Sequence, residues 1–249
     1  MTSTIPAKSP AADPITTGAV IAGSPEIGTD RTRALRQVLG AIALPIAFLL
    51  QLVANSTYAI AVGDGVGDQG TSAQTLQFYA AHPVALNIAT MCALVGSLLA
   101  IPGLLAGMKL LRGSILALVA VVLMIAGYVS YFGVNFTNWD TLALAQTAPE
   151  RADVLDASMA QGTPMVFFLL FVAGNLLGTL LLGIALIGSR RVPWVAGALV
   201  IGWPVGHVTN LLVGSEWFAV AGGALEVAGL VMVASAVLRT PASDWAARG

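Results

Sequence analysis

Glu226 stands inside an unbroken apolar stretch, Trp217–Leu238, ten residues from its start. At 1.5 Å per helical residue that places it about 15 Å deep, near the midplane of a bilayer core. An ionised carboxylate there costs about 2.5–3.5 kcal/mol on insertion scales, so such a group must face other protein groups or water rather than lipid. A carboxylate at that depth can hold a proton, pair with a cation or hydrogen-bond a solute. His207, in the preceding apolar stretch, can accept and donate hydrogen bonds and titrates nearest neutrality. The two stretches are joined by a very short turn around Gly214–Ser215, which makes them antiparallel neighbours. Counting from that turn, Glu226 is level with Trp203 and His207 lies about one turn nearer the outside, within reach of a Glu–His contact. Asn210 falls on the same face as His207.

Other apolar stretches contribute polar atoms at comparable depth. Gln51 and Asn55 are four residues apart and share a helix face, as do Asn175 and Thr179. Tyr128 and Asn135 come from a third stretch and Asn87 from the start of a fourth. Counted from the span ends, Gln51, Tyr128, Asn175 and Glu226 are at one level, with Asn55, Asn135 and His207 above them. If these faces converge, they form a polar pocket that opens outward with Glu226 at its floor. The alternative is that Glu226 is structural, a neutral acid bonded to Asn or His on a neighbour.

Such residues must be positioned by helices. Of 249 residues, 57% are hydrophobic and only 9% charged, with mean hydropathy +0.86. A soluble domain carries about a quarter charged residues, so this surface must meet lipid. Lipid offers no partners for open backbone groups, which requires helices. Six stretches suffice to cross: Val38–Val62, Val84–Met108, Ile115–Phe136, Pro164–Gly188, Pro193–Val213 and Trp217–Leu238. A five-span arrangement, with the last two as a re-entrant hairpin, is the alternative. The expected fold is thus an all-α polytopic transmembrane bundle over 31–239, preceded by a disordered cytoplasmic tail (1–30) and followed by a short polar tail (240–249).

Basic residues give the bundle a direction. Ten of the eleven (Lys8, Arg31, Arg33, Arg36, Lys109, Arg112, Arg190, Arg191, Arg239, Arg248) fall on the side of the termini, and only Arg151 on the other. The positive-inside rule then places both termini in the cytoplasm of a multi-pass cell-membrane protein. Tyr58, Tyr79, Phe136, Trp139, Trp217 and Phe218 suit an outer interfacial belt. Each long outer loop is expected to hold a short helix, one capped by Ser72 over Ala73–Ala81, the other started by Thr147 and Pro149 and running to Ala160. The order of short helix, proline, span, basic turn and span occurs twice, which suggests a parallel repeat of spans two–three and four–five. Gly103/Gly107, Gly174/Gly178 and Gly202/Gly206 allow close helix approach. Packing within the chain is the default use of these pairs, with a homo-oligomer or a membrane partner as the alternative. Pro45, Pro102 and Pro204 are expected to bend their spans.

Several chemistries have no basis. Net charge −1 gives nucleic acid nothing to hold. The single cysteine, Cys92, excludes a disulfide framework or a Cys-based metal cage. No phosphate loop, dinucleotide fingerprint or His-Glu-x-x-His pair occurs. A bis-histidine haem would have to unite His82 with His207, and Gly63–Asp68 lacks the closing acid of a calcium loop. No cofactor, metal or enzymatic activity is expected.

Arg31–Arg36 before the first span, two long outer loops, Arg191-Val192-Pro193 and Gly223-Ala224-Leu225-Glu226 together resemble an uncharacterised family of bacterial six-span integral membrane proteins with an acid in the last span. The resemblance covers about 31–239. It implies topology and directs attention to Glu226, and it carries no activity. An Ala- and Gly-rich, Lys-poor composition also suits a high-GC bacterium. Two functions fit these residues: a bundle that binds or moves a small solute or protons through a pocket at Glu226, or a non-catalytic structural or regulatory component acting through helix or lipid contacts.

Overall fold

The computed structural model describes residues 27–63 and 70–248. Most of the expected N-terminal tail and the Asp64–Asp68 segment lie outside the described residues. Six helices are long and apolar enough to span a membrane, and no strand occurs among the described residues. The chain is an all-α, multi-pass transmembrane bundle whose outer surface meets lipid: Leu39, Ile88, Val122, Leu169, Leu212 and Val231 are all exposed. The spans are α1 (Ile27–Val62), α3 (Pro83–Met108), α4 (Ile115–Thr147), α6 with α7 (Thr163–Val172 and Gly178–Ser189), α8 (Trp194–Val213) and α9 (Trp217–Arg239). The last two are full-length helices, which removes the re-entrant alternative. The end of the bundle that carries the described basic turns is termed the basic face. The opposite end, which carries α2 (Ser72–Ala81) and α5 (Ala152–Met159), is the loop face.

Near the basic face the spans are closely packed. A Cβ on Gly103 would lie 2.6 Å from Leu44 Cα and 2.7 Å from its nitrogen, so α1 and α3 touch backbone to backbone. Gly183 and Gly197 do the same for α7 and α8, and Gly229 seats α9 against Ala196 O. Between these contacts runs one apolar core that includes Leu44, Leu104, Val121, Leu186, Val200 and Val233.

Several element boundaries differ from the sequence expectation. The short outer helix is capped by Thr71 rather than Ser72: Gln74 N donates to the Thr71 hydroxyl and Thr71 N to Gln74 Oε1, a reciprocal capping box. Ser72 instead donates to Asp156 and ties α2 to α5. Thr147 ends α4 rather than starting the next helix, its hydroxyl donating to Ala143 O at 2.8 Å. The span expected to stop at Phe136 thus projects three further turns, about 16 Å. Thr137 and Thr141 satisfy their hydroxyls on the carbonyls four residues back, and Thr141 and Ala145 are buried under α2, so polar residues continue the helix instead of ending it. At the N-terminus α1 already begins at Ile27, inside the segment expected to be tail. At the other end Ala242–Ala246 forms a helix, α10, rather than a bare tail. Trp245 is buried there, donating to Ala106 O at 3.3 Å under Lys109, whose ammonium sits 4.1 Å from the ring centroid.

Candidate functional site: a polar cavity in the loop-side half

The core that fills the basic half does not continue to the loop face. A cavity of about 490 Å³ lies there between α1, α3, α4, α6, α8 and α9. Gln51, Asn55, Tyr128, Asn175, His207 and Glu226 all line it, together with Asn135 and Asn210. The convergence that helix periodicity left open is therefore present.

The floor is tied together by one chain of hydrogen bonds. Asn175 Nδ2 donates to Tyr128 Oη at 3.1 Å, and Trp203 Nε1 donates to Asn175 Oδ1. Three spans, α4, the α6–α7 span and α8, are thereby fixed at one level. The fourth, α9, meets the same level: a Cβ on Gly223, one turn before Glu226, would lie 3.7 Å from the Trp203 ring. Counting from the α8–α9 turn put Glu226 level with Trp203; a Cβ on Gly222 would instead lie 3.2 Å from Trp203 Cα, so Glu226 lies about one turn deeper along α9 than Trp203.

Asn175 reaches the floor through an irregularity. Residues Ala173–Leu177 form a π turn between α6 and α7. Such a turn inserts one extra residue into the helix and rotates the residues after it, a feature found often at functional sites. Here it separates two residues expected to share a face. Asn175 lines the cavity, whereas Thr179 is turned away into packing, fully buried. The insertion sits where α4 and this span are closest: a Cβ on Gly174 would lie 2.6 Å from Gly127 Cα.

Glu226 is 4% exposed, and its Oε1 has no hydrogen-bond partner among the described residues. His207 Nδ1 and Asn135 Oδ1 are likewise unpartnered, as is Thr179 Oγ1 away from the cavity. The Glu226–His207 contact that the spacing brought within reach does not form; Arg151–Asp153, at the loop face, is the one ion pair among the described residues. Leaving a buried polar atom unsatisfied costs about 1–3 kcal/mol. Three such atoms therefore border one space, on α4, α8 and α9. A volume of 490 Å³ corresponds to roughly sixteen waters of bulk density, or to a ligand in the usual range of small-molecule sites.

Not every candidate serves the cavity equally. Gln51 lines it, yet its Nε2 donates to Ala93 O at 2.9 Å and Ser97 Oγ at 3.2 Å, so this side chain also fastens α1 to α3. Asn87 lies elsewhere, accepting at 3.1 Å from Trp139 Nε1. His82 caps the start of α3 beside Phe78 and does not line the cavity, so the two histidines do not face one another across it. No cluster of three metal-ligating side chains occurs among the described residues.

Sequence reasoning missed the aromatic part of the wall. Tyr58 and Tyr79, expected in an interfacial belt, line the cavity, as do Tyr131, Phe168, Phe171 and Trp203. Tyr131 and Phe171 stack with centroids 3.9 Å apart and planes 5° off parallel. The signal was available. Tyr131 and Asn138 follow Tyr128 at three and ten residues, and Trp203 precedes His207 by four, all spacings of one helix face. Glu216, at the α8–α9 junction, adds a second carboxylate and accepts from Asn210 Nδ2 at 2.9 Å. No family model, curated protein or solved structure matches this chain.

Proposed function

We propose that this protein binds a small polar solute within the membrane, as the step that precedes moving it, with Glu226 and His207 as the principal ligand contacts. The observation that carries this reading is the meeting of three unpartnered buried polar atoms on one cavity of solute size. A Glu kept only to hold helices together would be bonded to a neighbour, whereas Glu226 Oε1 has none among the described residues. An unsatisfied acid held in a membrane interior lowers stability, and such a cost is characteristic of binding sites.

In this reading the loop face is the outer face of the cell membrane and both termini are cytoplasmic. The ten-to-one distribution of basic residues supports that orientation. The cavity then runs outward from Glu226 at midplane, past Asn55 and His207, to Tyr58, Tyr79 and Glu216 near the surface.

The test is accessibility. Asn55→Cys, in a Cys92→Ala background, is treated on intact cells with a membrane-impermeant thiol reagent. It is expected to react from outside, while Ala47→Cys, fully buried in the core below, does not. Reaction only after permeabilisation would reverse the orientation. No reaction under either condition would mean a closed, dry interior and would remove the solute-binding reading.

A further inference from the structure

The lining of the cavity is selective in a way its polar atoms alone do not reveal. All four tyrosines of the chain, Tyr58, Tyr79, Tyr128 and Tyr131, border it. Trp203 and three phenylalanines join them, so eight aromatic side chains surround one space. Two carboxylates, Glu226 at the floor and Glu216 at the mouth, are also on the wall. Among the described residues, no lysine or arginine is.

Aromatic faces carry negative quadrupole potential and attract cations, most strongly where water is excluded. Burial disfavours a lone ionised Glu226, and a cation entering beside it would supply the partner that lets the carboxylate ionise. An anion entering this space would meet two acids and no described basic side chain, and would keep Glu226 from ionising. A neutral solute could fill the volume but would leave the electrostatic field unused. The three orphaned atoms add a second discrimination: Glu226 Oε1 and Asn135 Oδ1 are acceptors, and His207 Nδ1 is one whenever the ring proton is on Nε2. Acceptors call for N–H donors. A fully alkylated ammonium has none, whereas a primary or secondary ammonium has two or three.

Resting on the solute-binding reading above, we propose that the ligand class is a protonated primary or secondary amine with an apolar or aromatic body. Its ammonium group is held at Glu226 with His207 and Asn135 as further acceptors, and its body lies against the aromatic wall formed by Tyr131, Phe171 and Trp203.

Three probes of matched size and different head group test this on the full chain in lipid nanodiscs at pH 7, read by calorimetry or by quenching of tryptophan fluorescence. 2-Phenylethylamine is cationic, 2-phenylethanol neutral and phenylacetate anionic. The amine is expected to bind at least about tenfold more tightly than the alcohol, and phenylacetate more weakly than either. Glu226→Gln, which keeps size and hydrogen-bonding capacity, should bring the amine to within about threefold of the alcohol and leave the alcohol unchanged. The N,N,N-trimethylated amine should bind more weakly than the primary amine despite its equal charge. The wild-type comparison needs no variant, so it stands even if Glu226→Gln fails to fold. Equal binding of amine and alcohol, or preference for phenylacetate, would overturn the amine assignment while leaving a solute cavity in place. If no probe binds, the amine assignment falls, and the Asn55→Cys accessibility then decides whether the cavity reading falls with it.

Discussion

The two halves of this bundle both join helices through glycine contacts yet enclose different interiors. Toward the basic face, glycines let backbones touch and Leu, Val and Ala side chains fill what remains. Toward the loop face, large aromatic and amide side chains hold the helices around a space that they border but do not fill. Van der Waals packing is the main force joining helices in lipid, because there is no hydrophobic drive between surfaces as apolar as the lipid tails. The packed half therefore provides the stability that allows the other half to leave polar atoms unsatisfied. Trp203 and Asn175 mark the border between the two regimes, with core side chains below and the cavity above.

That contrast can be broken most forcefully from the packed side. Gly103→Ala places a methyl group against the Leu44 backbone, where neither neighbour can rotate away. It should cost about 3 kcal/mol, read as a fall in unfolding midpoint in detergent. Trp245→Ala should cost less, about 2 kcal/mol, by releasing α10 from Ala106 and Lys109. Its specific sign is rapid proteolysis after Arg239 with the spans intact.

On the cavity side the expected sign changes. Glu226→Leu removes an unsatisfied buried acid and should raise stability by about 1 kcal/mol while abolishing amine binding. A fall of the size expected for Gly103→Ala would mean that Glu226 holds the bundle together. The smallest effect belongs to Asn55→Ala, which lines the cavity without a packing role and should shift stability by no more than about 0.5 kcal/mol. If Asn55→Ala proved as damaging as Gly103→Ala, the distinction between the halves would be false.

Much of the candidate site was legible as a set of depths, because depth follows from counting 1.5 Å steps from a span end. Gln51, Tyr128, Asn175 and Glu226 were placed at one level by that count alone; the Trp203–Asn175–Tyr128 hydrogen bonds run through it, and Glu226 lies about one turn deeper than Trp203. Rotation was less legible. The shared face of Gln51 and Asn55 held, since α1 is regular there. That of Asn175 and Thr179 did not, because a π turn has no composition signature and adds its extra residue just between them. The tyrosines were misassigned for a different reason: an aromatic ring near a span end satisfies an interfacial belt and a cavity mouth equally well in one dimension.

What the residues alone determined was a six-span helical membrane protein, since 9% charged residues cannot clothe a soluble surface and lipid forbids unpaired backbone. They also determined that Glu226 required an explanation, because its depth and charge conflict. Only the tertiary structure decided which neighbours it would have. Helix rotation in a bilayer is set by where backbones can touch, and those contacts, Gly127 to Gly174 and Gly206 to Gly222, join residues far apart in the chain or facing across a turn. Once these glycines were in contact, the amide and aromatic faces on the same helices had one remaining direction. That direction is the cavity in which Glu226 lies.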